Sequence, residues 1–208
     1  MQVTVFGASG KVGHLVVEEL LARGHTVVAF IHRRQLFVPN NRLIIKTGDI
    51  YDAAAVAEAL RGSDAVISCL GSWGPKGRDV LSAAMRNIIP AMREQKISRI
   101  VTLTGSGATA PQEKTGVGHG LIMKVFRPFP AGKVFNDGEE HMRLLAASGL
   151  DWTTVRSPVM TNFGGASYRL DVGPGSQLRP IARAAVANAL VDQLDDTRWL
   201  HRAPVIYQ

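Results

Sequence analysis

Gly7, Gly10 and Gly13 recur every third residue near the start of the chain. Glycine has no Cβ, so it permits a tight turn and lets an anion come close to the backbone. A helix that begins after such a turn presents free N–H groups to that anion. A glycine triplet alone does not specify this chemistry; its neighbours do. The β-branched run Val3–Phe6 precedes it, apolar residues at helical spacing (Val12, Leu15, Val16, Leu20, Leu21) follow, and a second apolar run opens at Thr26. This context predicts a pyrophosphate-binding turn made by Gly7, Ser9, Gly10, Lys11 and Val12, with Gly13 letting the helix pack close to the strand. A plain strand-to-helix turn with incidental glycines is the alternative.

The residues that follow bear on which dinucleotide would sit there. An NAD site usually places a carboxylate about 20 residues past the glycines, on the ribose 2′-hydroxyl. No Asp or Glu lies between Glu19 and Asp49, and the second apolar run ends in His32-Arg33-Arg34. Guanidinium groups form charge-assisted bonds to a phosphate that a carboxylate would repel, so NADP(H) is favoured over NAD(H). The competing reading is a pair of solvated arginines. Ligands bind at the C-terminal ends of parallel strands, which puts Asp49-Ile50 beside the adenine and Cys69-Leu70-Gly71 along the cofactor cleft. By the same rule Thr104 and Ser106, and then Arg156 and Pro158, should stand near the nicotinamide end.

Carbonyl reduction of the short-chain type uses a Tyr with a Lys four residues later. Here Tyr51 and Tyr168 are followed at that distance by Ala55 and Val172, and Tyr207 by the chain end. Either another group supplies the acid, or the acceptor needs no strong one: on a flavin or another conjugated acceptor the developing charge is delocalised, and catalysis can rest on proximity and orientation. Ser106 and Thr104 are the candidate donors. Trp73, next to Ser72, could stack on a flat ring. Lys124, Phe126, Arg127, Phe129 and Lys133 could close over an anionic aromatic ligand, or form a solvated loop face. The histidines show no metal-ligand spacing and Cys69 is the single cysteine, so neither a metal nor an internal disulfide is expected.

The elements that must position these residues follow from periodicity. Apolar runs at Val3–Phe6, Thr26–Ile31, Leu43–Ile45, Ala65–Leu70, Arg99–Thr104 and Trp152–Arg156 read as strands. Helices are expected after Val12, over Asp52–Leu60 with Asp52 as N-cap, over Val80–Glu94 with Pro90 inside it, over Gly138–Ala147 and over Ile181–Leu194, with a last strand at Pro204–Tyr207. Alternating strand and helix predicts an α/β fold, a three-layer doubly wound parallel sheet in a single domain over residues 1–208. The Gly- and Pro-rich stretch 105–137 breaks the rhythm and, with the C-terminal third, is expected to shape the substrate site. The 208 residues carry 24 Lys and Arg against 17 Asp and Glu, a net charge of +7. Nucleic-acid binding is disfavoured because these charges are dispersed and no recognition motif accompanies them. No run approaches a membrane span and no targeting segment is recognisable, so a cytoplasmic protein, a monomer or weak homodimer, is expected.

Val3–Gly13 (VTVFGASGKVG), Gly48-Asp49-Ile50, Asp64–Ile67, Arg86–Ile89 with Ala91-Met92, Ile97–Val101 and Ser148–Thr153 resemble the atypical short-chain dehydrogenase/reductases. The similarity is to the branch of NAD(P)H-binding flavin reductases and biliverdin-IXβ reductases, near the NmrA-like group. The resemblance implies a single-domain NAD(P)-binding Rossmann fold, NADP(H), hydride transfer to flavins or other aromatic acceptors, and a serine near the nicotinamide at Ser106 or the adjacent Thr104. A non-catalytic NADP(H) sensor of the NmrA kind is the alternative. If Arg33 and Arg34 read the 2′-phosphate, Arg33→Glu with Arg34→Glu weakens NADPH by at least about tenfold more than NADH, measured by titration calorimetry. Equal losses would remove that role.

Overall fold

The computed structural model describes residues 1–32, 37–71, 79–111, 113, 130–172 and 179–208, with residues 130–134 described for their backbone only. Its frame is an eight-stranded sheet in the order β3-β2-β1-β4-β5-β6-β10-β8. β1 (Gln2–Phe6) lies at the centre of the first half, parallel to β2 (Thr26–Ile31) on one side and to β4 (Ala65–Ser68) on the other. β3 (Leu43–Thr47) extends the sheet beyond β2, and β5 (Arg99–Gly105) and β6 (Asp151–Ser157) extend it beyond β4. The order reverses between β1 and β4, which opens a crevice at the C-terminal strand ends, where ligands bind in open α/β sheets.

Helices cover both faces. α1 (Lys11–Ala22) packs on one face through Val16, Val17 and Leu20, beside α5 (Arg183–Asp192) with Val186 and Leu190. On the other face lie α2 (Ala53–Leu60), α3 (Val80–Glu94) and α4 (Pro130–Ala146), whose core residues include Val56, Met85, Ile88, Met142 and Leu145. With both faces covered, the central strands are buried along nearly their whole length rather than alternating between buried and exposed positions. Asp52 caps α2 as expected, accepting from Ala54 N (2.9 Å) and Ala55 N (3.2 Å). Pro90 is exposed within α3, so the carbonyl that loses its helical partner can turn to water.

Apart from shifts of one or two residues at several element ends, three features depart from expectation. α4 begins at Pro130, eight residues before the expected Gly138. Proline is tolerated in a first helical turn, and Gly138 is a packing residue, since a Cβ there would lie 2.6 Å from Thr104 Oγ1. The helix expected from Ile181 starts at Arg183, because Ile181–Ala182 forms a short strand, β9, paired with β7 (Met160–Thr161). β8 (Arg169–Asp171) runs antiparallel to β10 (Val205–Tyr207), so the sheet is mostly rather than wholly parallel. Among the described residues no helix is long and apolar enough to cross a membrane.

His141 of α4 is fully buried, and neither ring nitrogen has a hydrogen-bond partner. Burial pushes its pKa down to about 4, against a weaker opposing pull from Asp137. Its folded-state pKa therefore lies below its unfolded value, and the unfolded chain binds the extra proton between the two. Stability should fall by up to about 3 kcal/mol as pH drops from about 6.5 to about 4. His141→Leu should flatten this part of a pH series of urea unfolding curves.

Candidate functional site

The turn between β1 and α1 is fixed by backbone contact. Gly7 has φ +75°, a conformation that side chains rarely adopt, and a Cβ there would lie 2.9 Å from the backbone carbon of Cys69. A Cβ at Gly13 would lie 2.2 Å from Gly7 O. The first turn of α1 thus rides directly on the strand end, and the strand end directly on the segment that leaves β4. Gly10 N–H donates to Gly7 O (2.9 Å), which closes the turn. Gly10 is the N-cap of α1; no side chain caps the helix and no acidic residue lies in its first turn. The N-terminal amides and the positive end of the helix dipole are left for an anion.

Beside this turn is a cavity of about 340 Å³, to which the turn contributes Gly7 and Ser9. Phe30, Ile50, Leu70 and Val80 give it apolar walls; His32, Asp49, Tyr51 and Gly71 complete the lining. Phe30 is held against Gly48, where a Cβ would lie 2.7 Å from its ring. His32 Nδ1 is 3.4 Å from Gly48 O and 3.9 Å from Asp49 Oδ2, in an exposed position. Asp49 accepts from Tyr51 N (3.1 Å), and Ile50 O accepts from Asn87 Nδ2 (2.8 Å), which ties this wall to α3. Of the residues expected in the turn and after β2, β3 and β4, Gly7, Ser9, His32, Asp49, Ile50, Leu70 and Gly71 line this cavity, and Gly10, Lys11, Val12, Gly13 and Cys69 do not. Phe30, Gly48, Tyr51 and Val80 line the cavity without being among the expected cofactor residues. Tyr51 follows Asp49-Ile50 directly and could have been found from that adjacency. Val80 lies beyond an irregular stretch, and its place there depends on how α3 packs.

Burial raises the pKa of the Cys69 thiol to about 12, so it is neutral and a poor nucleophile at ordinary pH. Its N–H donates to Phe6 O (2.9 Å), and its backbone is the surface against which Gly7 rests.

At the other end of the crevice, Ser106 follows β5, half-buried, its N–H donating to Ser157 O (2.8 Å). Thr104 is buried, and its hydroxyl lies against Gly138 of α4. Of the two expected donors, Ser106 is the more open. Arg156 corrects an expectation. Its guanidinium is 1% exposed; it donates to Ala203 O (2.8 Å) and Ala108 O (3.0 Å) and forms an ion pair with Glu113. It fastens the start of the β5–α4 connection to the end of the sheet rather than reaching for a cofactor. Pro158 is buried just after it. Arg33, Arg34, Ser72, Trp73, Lys124, Phe126, Arg127 and Phe129 lie outside the described residues, as does the side chain of Lys133.

The NAD(P)H-binding family model matches residues 7–197. A 2-alkyl-3-oxoalkanoate reductase of Stenotrophomonas maltophilia is 32% identical over 189 residues, covering 85% of this chain and 53% of its own length. The chain spans between 12% and 53% of the curated relatives it matches. Among solved structures, a short-chain dehydrogenase/reductase from Veillonella parvula in complex with NADP superposes with a TM-score of 0.78 at 18% identity, covering 100% of this chain and 94% of that one. ChuY, an anaerobilin reductase from Escherichia coli O157:H7, gives a TM-score of 0.76 at 21% identity, covering 99% and 96%. The fold is that of NAD(P)H-binding oxidoreductases.

Gly13→Ala places its methyl in contact with backbone that cannot swing aside. It should destabilise the protein by about 3 kcal/mol and weaken dinucleotide binding. Gly71→Ala, whose Cβ meets nothing within 4 Å, should unfold at the wild-type midpoint. Thermal unfolding of both variants checks the contrast.

Proposed function

The chain belongs to the NAD(P)H-binding family, and from that premise we propose that it is an NADPH-dependent reductase of a conjugated, flavin-like or quinone-like acceptor. One observation carries the reading: the uncapped N-terminus of α1 opens onto a cavity with apolar walls at the crevice between β1 and β4. The lack of a Cβ at Gly7 and Gly13 and the free amides of the helix fit a pyrophosphate, and the cavity fits a purine nucleoside. His32 on the cavity wall, followed in sequence by Arg33 and Arg34, supports preference for a 2′-phosphate.

Bound NADPH supplies a hydride to the acceptor, and a proton from solvent or a weak donor completes the two-electron reduction. The chain's own part is to bind, orient and offer a hydroxyl at Ser106, with Thr104 held behind it by α4. The phenols argue against a carbonyl acceptor of the short-chain type. Tyr51 donates to Asp79 (3.0 Å) at the cavity, and Tyr168 donates to Asp192, which also pairs with Arg23. Both of these phenols are engaged by carboxylates, and the third, Tyr207, ends β10. A delocalised acceptor relaxes that need. The anaerobilin reductase among the fold relatives is consistent with such an acceptor.

Supplying FMN, riboflavin or a quinone should produce oxidation of NADPH, followed by its absorbance, with NADH the poorer donor. Ser106→Ala should lower kcat by about tenfold or more. Tight NADPH binding with no turnover across the panel would defeat the reductase reading and favour a nucleotide sensor.

A further inference from the structure

Asp79 is the N-cap of α3, yet its carboxylate makes no capping bond to that helix. The amides it would ordinarily serve are already taken. Asp137, buried on α4, accepts from Leu81 N through one oxygen and from Ser82 N through the other, both at 2.9 Å. Relieved of that task, Asp79 Oδ1 accepts from the phenol of Tyr51 at 3.0 Å. Tyr51 belongs to the segment after β3 and Asp79 to the start of α3, so the bond spans two walls of the cavity that Tyr51 and Val80 both line. Tyr51 N is held by Asp49 and Ile50 O by Asn87. Its ring is thus fixed at the backbone and at the hydroxyl, while the residue stays 50% exposed.

An aromatic ring restrained at both ends and half open to solvent has no core to fill. It stands where Phe30, Ile50, Leu70 and Val80 already form an apolar lining of a size to take a purine. Resting on the nucleotide reading given above, we propose that Tyr51 grips the base of the dinucleotide, and that Asp79 is the positioning residue that holds its ring in place. Asp137 on α4 makes this possible by taking over the cap of α3. The phenol keeps its proton across the working range, because burial and its bond to Asp79 raise its pKa to about 12.

The test measures dissociation constants for NADPH and for 2′-phospho-ADP-ribose, which keeps the base and lacks the nicotinamide. Tyr51→Ala should weaken both by about tenfold, the scale of one aromatic–base contact. Because the residue is half exposed, the unfolding midpoint should stay near that of the wild type. Tyr51→Phe and Asp79→Ala should each cost about threefold, and the double variant no more than either alone, since both remove the same bond. Asp79→Asn, which keeps an acceptor oxygen, should recover most of the affinity. Wild-type affinity in Tyr51→Ala overturns the grip, and additive losses in the double variant overturn the role of Asp79. A wild-type chain that binds neither NADPH nor NADH instead removes the nucleotide reading, and this proposal with it.

Discussion

Three backbone segments meet at Gly7 with no room for a side chain, and the site is built around that contact. The end of β1 presses on the segment leaving β4, and the first turn of α1 presses on the end of β1. Each contact is backbone on backbone, so it cannot be relaxed by a rotamer change. It sets the direction of α1 and therefore where its uncapped amides point. It also fixes the spacing of the crevice between β1 and β4. The shape of the cavity beside the turn follows from how closely these strands and this helix approach.

The opposite face is held by a different device. α4 sits close to β5 because Gly138 leaves space for Thr104, and because Gly107 leaves space for the ring of Phe135, where a Cβ would lie 2.4 Å from it. From that position Asp137 reaches across to cap α3. One helix thereby sets the start of its neighbour, whose first residues border the cavity. Arg156 completes the arrangement from within the sheet by tying Ala108, Glu113 and Ala203 together. The end of β5 and the cavity wall beside Val80 are thus linked through α3 and α4. A change that shifts α4 would be felt at both.

The chemical consequence is a division of labour that suits a dinucleotide carrying its own reactivity. The described chain offers shape, free amides and one accessible hydroxyl near the end of β5. Two of its three phenols are engaged elsewhere. The Cys69 thiol is neutral, and His141 is buried with no hydrogen-bond partner among the described residues. Among the described residues the site offers little for strong acid–base catalysis, which supports the proposed delocalised acceptor.

The parallel sheet, the turn chemistry and most helix bounds were legible in the sequence, because glycine spacing and apolar periodicity are local properties. Val80–Glu94 and the Asp52 cap could be read directly from their own residues. The sequence could also place Gly7, Asp49 and Leu70 at one crevice, since strand order in such a sheet follows from handedness and short connections. It could not show that Gly138 is a packing glycine inside a helix, that Arg156 turns inward to Glu113, or that Asp137 caps a helix 55 residues away. Nor could it place Ile181 in a strand paired to Met160. These outcomes depend on which surfaces meet after the layers have packed. A residue's type limits the bonds it can make, and only the tertiary structure decides which partner comes within reach.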